Sequence, residues 1–159
     1  LDVEISDEAM IARENSLEVQ MPFIRHRFPG AKVAPVLMGY QDYGSAMDLA
    51  SRVIEAVDNF SGDIRIVASS DFSHYIPEAI ARADDHYVIE ALHNLNTEEF
   101  YKRLAEKKLT ACGYGPIAVL TEVCRHLGAT EGRLIEYATS GDVTGDFDQV
   151  VGYASIAAV

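Results

Sequence analysis

Leu17, Met21, Ile24 and Phe28 fall on one stripe of a helix, and Asn15 with Glu18 has capping-box spacing at its start. Pro22 interrupts the stripe and leaves two readings: a kinked helix, or a short turn before a helix starting near Pro22. Pro29-Gly30 ends the element, and the run Lys32–Met38 reads as a strand, interrupted or at an edge because of Pro35. Ala46, Leu49, Ala50, Val53, Ile54 and Val57 predict a helix from about Tyr43 to Phe60. Ser61-Gly62 then turns into Ile64–Ser69, an apolar run rich in β-branched residues that reads as a strand. A long helix is expected over Pro77–Leu95, followed by a shorter one capped by Asn96 with Glu99 and carrying Phe100 and Leu104. Ala111–Pro116 leads into another helix, striped by Ile117, Leu120, Cys124 and Leu127, with Pro116 suited to the first helical position. Arg133–Ala138 and Val150–Ala158 read as two closing strands, antiparallel neighbours, joined by a polar loop over 139–148. Strands alternating with helices predict an α/β fold, a mixed sheet flanked by helices.

Composition narrows the picture. The 159 residues suit a single domain, 1–159. A net charge of −12 argues against a nucleic-acid or anionic-membrane surface, because either would need clustered Lys and Arg. Two cysteines are too few for a disulfide-stapled secreted fold and fit a reducing, cytoplasmic setting. The apolar runs are too short for a membrane span. The chain opens at Leu1 without a methionine, in a stretch, Leu1–Ile5, that reads as strand or loop. It reads as a piece of a longer polypeptide.

The chemistry-bearing residues gather where strands give way to loops. Ser69-Ser70-Asp71-Phe72-Ser73-His74 places two serines, a carboxylate and an imidazole just past the expected strand, the place where α/β sheets build sites. An imidazole serves as general base or metal ligand, and a neighbouring carboxylate orients it. The bland alternative is a capping Asp71 and a locally bonded His74. Cys112 precedes Gly113-Tyr114-Gly115-Pro116 and a helix start, which steadies a thiolate; the alternative is a small buried hydrophobe. Cys124, on the apolar stripe of its helix, reads as inert core. His86, Glu90 and His93 share one helical face, opposite the apolar side, and read as meeting water. His26 and His126 sit near helix ends. The acidic loop at Asp142, Asp146 and Asp148 fails the calcium-loop template and reads as a turn at the rim of a cleft.

Five segments in order resemble the MEMO family: Glu14–Phe23, Val67–Tyr75, Cys112–Ile117, Tyr137–Asp146 and Val151–Ser155. The resemblance implies a fold like the class III extradiol dioxygenases of the LigB type, whose non-heme iron is held by two histidines and a carboxylate. It implies a similar pocket in which a cysteine, here Cys112, replaces the carboxylate, with Asp71 and His74 beside it. By that resemblance Cys112 and His74 are expected metal ligands, for iron or copper, and Asn15, Ser70, Tyr114 and Asp142 line the substrate cleft. Oxidative chemistry follows, with His74 moving a proton and Asp71 holding the imidazole. The family's two other metal-binding histidines belong to an N-terminal segment that this chain lacks, so it reads as the C-terminal portion of such a domain, its missing segment being the first expected partner. Where the family has Glu-His-Ser, this chain has Glu14-Asn15-Ser16, and an amide is a poor ligand. Two rival readings use the same cleft: a non-catalytic module binding a peptide or small molecule, and a Cys112–His74 nucleophilic enzyme. Radical-SAM and AMMECR1-type proteins are the partners implied by resemblance.

Overall fold

The computed structural model describes residues 15–159; the strand-or-loop reading of Leu1–Ile5 and the position of Glu14 lie outside them. The chain divides into two compact units, Leu1–Gly39 and Tyr40–Val159.

In the first unit, α1 (Asn15–Glu18) is a single turn and α2 (Met21–Arg27) a short helix. The second reading of Pro22 is the correct one: the helix breaks after Glu18 and restarts with Pro22 in its first turn, where no intrahelical N–H is lost. Lys32–Met38 is not a strand. It has no ladder among the described residues, and Val33, Val36 and Leu37 are exposed. β propensity alone does not make a strand where nothing pairs with it.

The second unit begins with α3 (Tyr43–Asp58), whose N-cap Asp42 accepts from the Ser45 amide at 3.0 Å and from its hydroxyl at 2.6 Å. After a long irregular stretch come β1 (His74–Ile76), α4 (Glu78–His93), α5 (Thr97–Lys107) and α6 (Tyr114–His126). The unit closes with β2 (Gly132–Thr139), the short α7 (Gly141–Thr144) and β3 (Val150–Ala158). Asn96 caps α5 as the spacing predicts, its side chain accepting from the Glu99 amide at 3.0 Å. Asn96→Ala should therefore cost about 1 kcal/mol, read as a lower denaturant midpoint with unchanged slope.

The described strands form one sheet in the order β1-β3-β2, and both pairings are antiparallel. The closing hairpin is as expected; the mixed sheet is not, because the run Ile64–Ser69 is not a strand. That run keeps strand-like alternation, with Ile64, Ile66 and Ala68 half-covered while Arg65 and Val67 are exposed, but no ladder holds it among the described residues. The strand instead falls later, at His74–Ile76. Pairing is what decides: Phe72 N–H donates to Gly152 O and Gly152 N–H to Ser73 O, both at 2.9 Å, so the chain joins β3 only from residue 72 onward.

The core lies where α4, α5 and β3 meet, built from Phe72, Val88, Leu92, Phe100, Leu104 and Ala111 with their neighbours. Helix α6 packs on α3 with Gly115, Ala118, Val119 and Val123 buried, so the buried face lies to one side of the expected stripe. Leu127 is exposed, and Pro116 stands third in α6 rather than first. No described helix is long and apolar enough to cross a membrane.

Candidate functional site

Phe72 and Ala111 are anchored in the core, and each has a chemistry-bearing neighbour on its outer side. Asp71 precedes the phenylalanine and Cys112 follows the alanine, so packing brings the two segments edge to edge. The Cys112 amide donates to Asp71 O at 3.3 Å, and the Asp71 amide donates to Cys112 Sγ at 3.1 Å. Ser70 completes the seam. Its hydroxyl donates to Asp71 O at 2.7 Å, accepts from the Gly113 amide at 2.8 Å and lies 3.9 Å from Cys112 Sγ. Gly113 makes this approach possible, since a Cβ there would sit 2.5 Å from Ser69 O and 2.8 Å from Ser70 Cβ.

His74 enters from β1. Its amide donates to Thr110 Oγ1 at 3.1 Å, and its Nε2 lies 3.7 Å from Asp71 Oδ2. One ligand atom each from Asp71, His74 and Cys112 lie within 4.8 Å of one another, the one such cluster of three or more His, Cys, Asp and Glu groups among the described residues. His74 Nδ1 is buried with no hydrogen-bond partner among the described residues, an unmet valence that costs about 1–3 kcal/mol. The donor set of nitrogen, oxygen and sulfur is of the kind that suits a borderline transition metal. Cys112 is exposed and its Sγ accepts from the Asp71 amide, with the Ser70 hydroxyl, whose proton goes to Asp71 O, 3.9 Å away; no Cys112–His74 bond of the kind a thiol nucleophile needs is formed.

Backbone strain sits beside this cluster. Tyr75 has φ 56°, a left-handed conformation unusual for an aromatic residue, and the β1–β3 register slips between His74 and Ile76. Its ring is 72% exposed, with its centroid 6.0 Å from that of His74. Tyr153 on β3 is held above the ordinary phenol range, first by burial and then by the negative charge of Asp71.

Beneath β1 lies a buried carboxylate. Asp85 on α4 is 0% exposed and accepts from the Ser73 amide at 3.1 Å, the Ser73 hydroxyl at 2.6 Å and the Tyr137 hydroxyl at 2.6 Å. Burial pushes its pKa up against the pull of those donors, and burial together with the Asp85 bond pushes the Tyr137 phenol up as well. Gly152 leaves the notch for the carboxylate: a Cβ there would lie 2.0 Å from Asp85 Oδ2.

The other sequence-predicted residues fall as follows. Tyr114 opens α6 and stacks edge-on against Tyr101 at 5.8 Å. Both Asp142 oxygens bind Arg82, at 2.9 and 3.0 Å, and one also accepts from the Thr139 amide at 2.7 Å. Asn15 opens α1 in the first unit and is exposed. Cys124 is half-buried and its thiol is pushed up by burial, consistent with inert packing. His86, Glu90 and His93 are exposed, and Glu90 pairs with Arg103 at 2.9 Å. Asp85 and Gln41 were not singled out from the sequence. A carboxylate in the middle of the apolar stripe Ala81, Val88 and Leu92 is the signal that marks Asp85; for Gln41 no sequence signal stands out.

The Memo-like protein family matches residues 2–157. The chain belongs to that family. It is 43% identical over 151 residues to a MEMO1 family protein of Methanococcoides burtonii, covering 94% of this chain and 57% of that one. A MEMO1 family protein of Nitrosopumilus maritimus is 41% identical over 151 residues (94% and 54%), and one of Methanocaldococcus jannaschii 37% over 153 residues (94% and 53%). The chain thus spans a little over half the length of these Memo-like relatives.

Proposed function

We propose that Cys112 and His74 hold a redox-active metal, iron or copper, and that the site serves oxidative chemistry in a dioxygenase-like domain. The observation that carries this reading is the convergence of Asp71, His74 and Cys112 within 4.8 Å, from segments some forty residues apart in sequence. Thiolate and imidazole are donors that suit iron and copper. When bound, the metal supplies electron transfer and polarisation of oxygen or substrate. The chain's own residues do the rest. Asp71 Oδ2, 3.7 Å from Nε2, sets its carboxylate beside the imidazole and orients it. The Asp71 amide, donating to Sγ at 3.1 Å, holds the sulfur in place.

The test is metal content and affinity of the purified chain beside Cys112→Ser and His74→Ala. Loss of a direct ligand should weaken iron or copper binding by at least about 100-fold, since losing even an outer partner costs about 10–100-fold. Cys112→Ser with wild-type stoichiometry and affinity would sink the proposal.

A further inference from the structure

The turn that carries Cys112 is held on two sides. On one, Ser70 and Asp71 bind it through the bonds already described. On the other stands Gln41, half-buried just before α3. Its Nε2 donates to Cys112 O at 2.9 Å, and its Oε1 accepts from the Gly115 amide at 2.9 Å. The N-cap residue of α6 is Gly113, which has no side chain to offer. Gln41 therefore supplies, from elsewhere in the chain, the acceptor that an early α6 amide needs. Gln41 is itself anchored: its carbonyl accepts from the Tyr101 hydroxyl at 2.8 Å, and the Tyr101 ring is wedged edge-on between Tyr43 at 5.4 Å and Tyr114 at 5.8 Å. Burial drives the Tyr101 phenol well above its ordinary range, so it stays a donor.

We infer that Gln41 is the positioning residue for Cys112, a side-chain clamp that fixes where the sulfur sits relative to the Asp71 amide and to His74. One amide group grips the carbonyl of the thiol-bearing residue and the helix turn that follows it, so the two cannot move independently. Among the described residues no other side chain donates to the Cys112 carbonyl, whereas the Ser70–Asp71 bonds to the turn do not involve Gln41. The inference rests on the metal reading for its consequence in binding, but its geometry stands apart from that reading.

The test uses the full chain in a Cys124→Ala background, with Gln41→Met (similar shape, neither hydrogen bond) and Gln41→Glu (acceptor kept, donor lost). Co2+ alone is the first probe. The parent should develop the near-ultraviolet thiolate-to-cobalt band, Gln41→Met should bind at least about tenfold more weakly with a diminished band, as for other supports of a metal ligand, and Gln41→Glu should fall between. The second probe is the alkylation rate of Cys112 in metal-free protein at fixed neutral pH. It should change by about fivefold in Gln41→Met, the equivalent of one ordinary hydrogen bond, because the turn that holds the sulfur against the Asp71 amide is released. An unchanged band and affinity in a folded Gln41→Met variant would overturn the clamp. A parent with no band would overturn the metal reading instead, and the alkylation rates then decide on Gln41: equal rates in parent and Gln41→Met reject it. Should Gln41→Met fail to fold, Gln41→Glu carries both comparisons.

Discussion

Asp85→Ala is expected to lower stability by about 3–5 kcal/mol. The change removes the acceptor for the Ser73 amide, the Ser73 hydroxyl and the Tyr137 hydroxyl, and all three donors sit in or against the core. Each donor left unmet costs about 1–3 kcal/mol, and water entering the vacated space recovers part of the sum. For a chain of this length the melting temperature should fall by roughly 10 °C, measured by calorimetry or circular dichroism. A loss under about 1 kcal/mol would mean that the network is not what ties α4 to the segment bearing Asp71 and His74. Asp85→Asn refines the point. Burial raises the pKa of Asp85 in the folded state. The folded chain then binds the proton more tightly than the unfolded one, so the wild type loses stability as pH rises from the ordinary aspartate pKa of about 3.9 through the raised folded value. The Asn variant, which does not ionise, should lack that fall.

Gly113→Ala should cost about 2–3 kcal/mol and damage the site with it. The added carbon would lie 2.5 Å from the main-chain oxygen of Ser69. Neither that oxygen nor the Ser70 Cβ is the far end of a flexible side chain, so the start of α6 must move away from residues 69–70. That movement breaks the Gly113–Ser70 bond and draws Cys112 from the Asp71 amide. Cobalt titration and thermal melting should therefore fail together. Gly39→Ala is the control: nothing lies within 4 Å of its added carbon, and it should stay within about 0.5 kcal/mol of wild type.

Local signals carried much of the secondary structure. Helices α3, α4 and α5 and the closing hairpin lie within a few residues of where periodicity and caps put them, because spacing and capping act over one or two turns. The two apolar runs Lys32–Met38 and Ile64–Ser69 have strand composition without strand pairing, and pairing is a long-range matter that no window of sequence contains. At the site, the order Ser-Ser-Asp-x-x-His and the cysteine before α6 pointed to Asp71, His74 and Cys112, and folding brings their ligand atoms together. Their supports were harder to read. Gln41 reaches Cys112 across 71 positions with no local signal, and Asp85 reaches Ser73 across 12, marked only by a carboxylate set in an apolar stripe that does not say which donors it meets. The mixed sheet expected from strand–helix alternation needs Ile64–Ser69 as a strand, and the antiparallel β1–β3 pairing is set instead by where residue 72 meets Gly152.

Tyr75 holds a left-handed backbone immediately after His74. A tyrosine there spends about 1 kcal/mol that glycine would not, so relief by mutation is available at this position. That same link sets the course of the main chain directly after His74. Tyr75→Gly would trade a tense joint for a loose one, and the imidazole would forfeit its aim just as the main chain found ease.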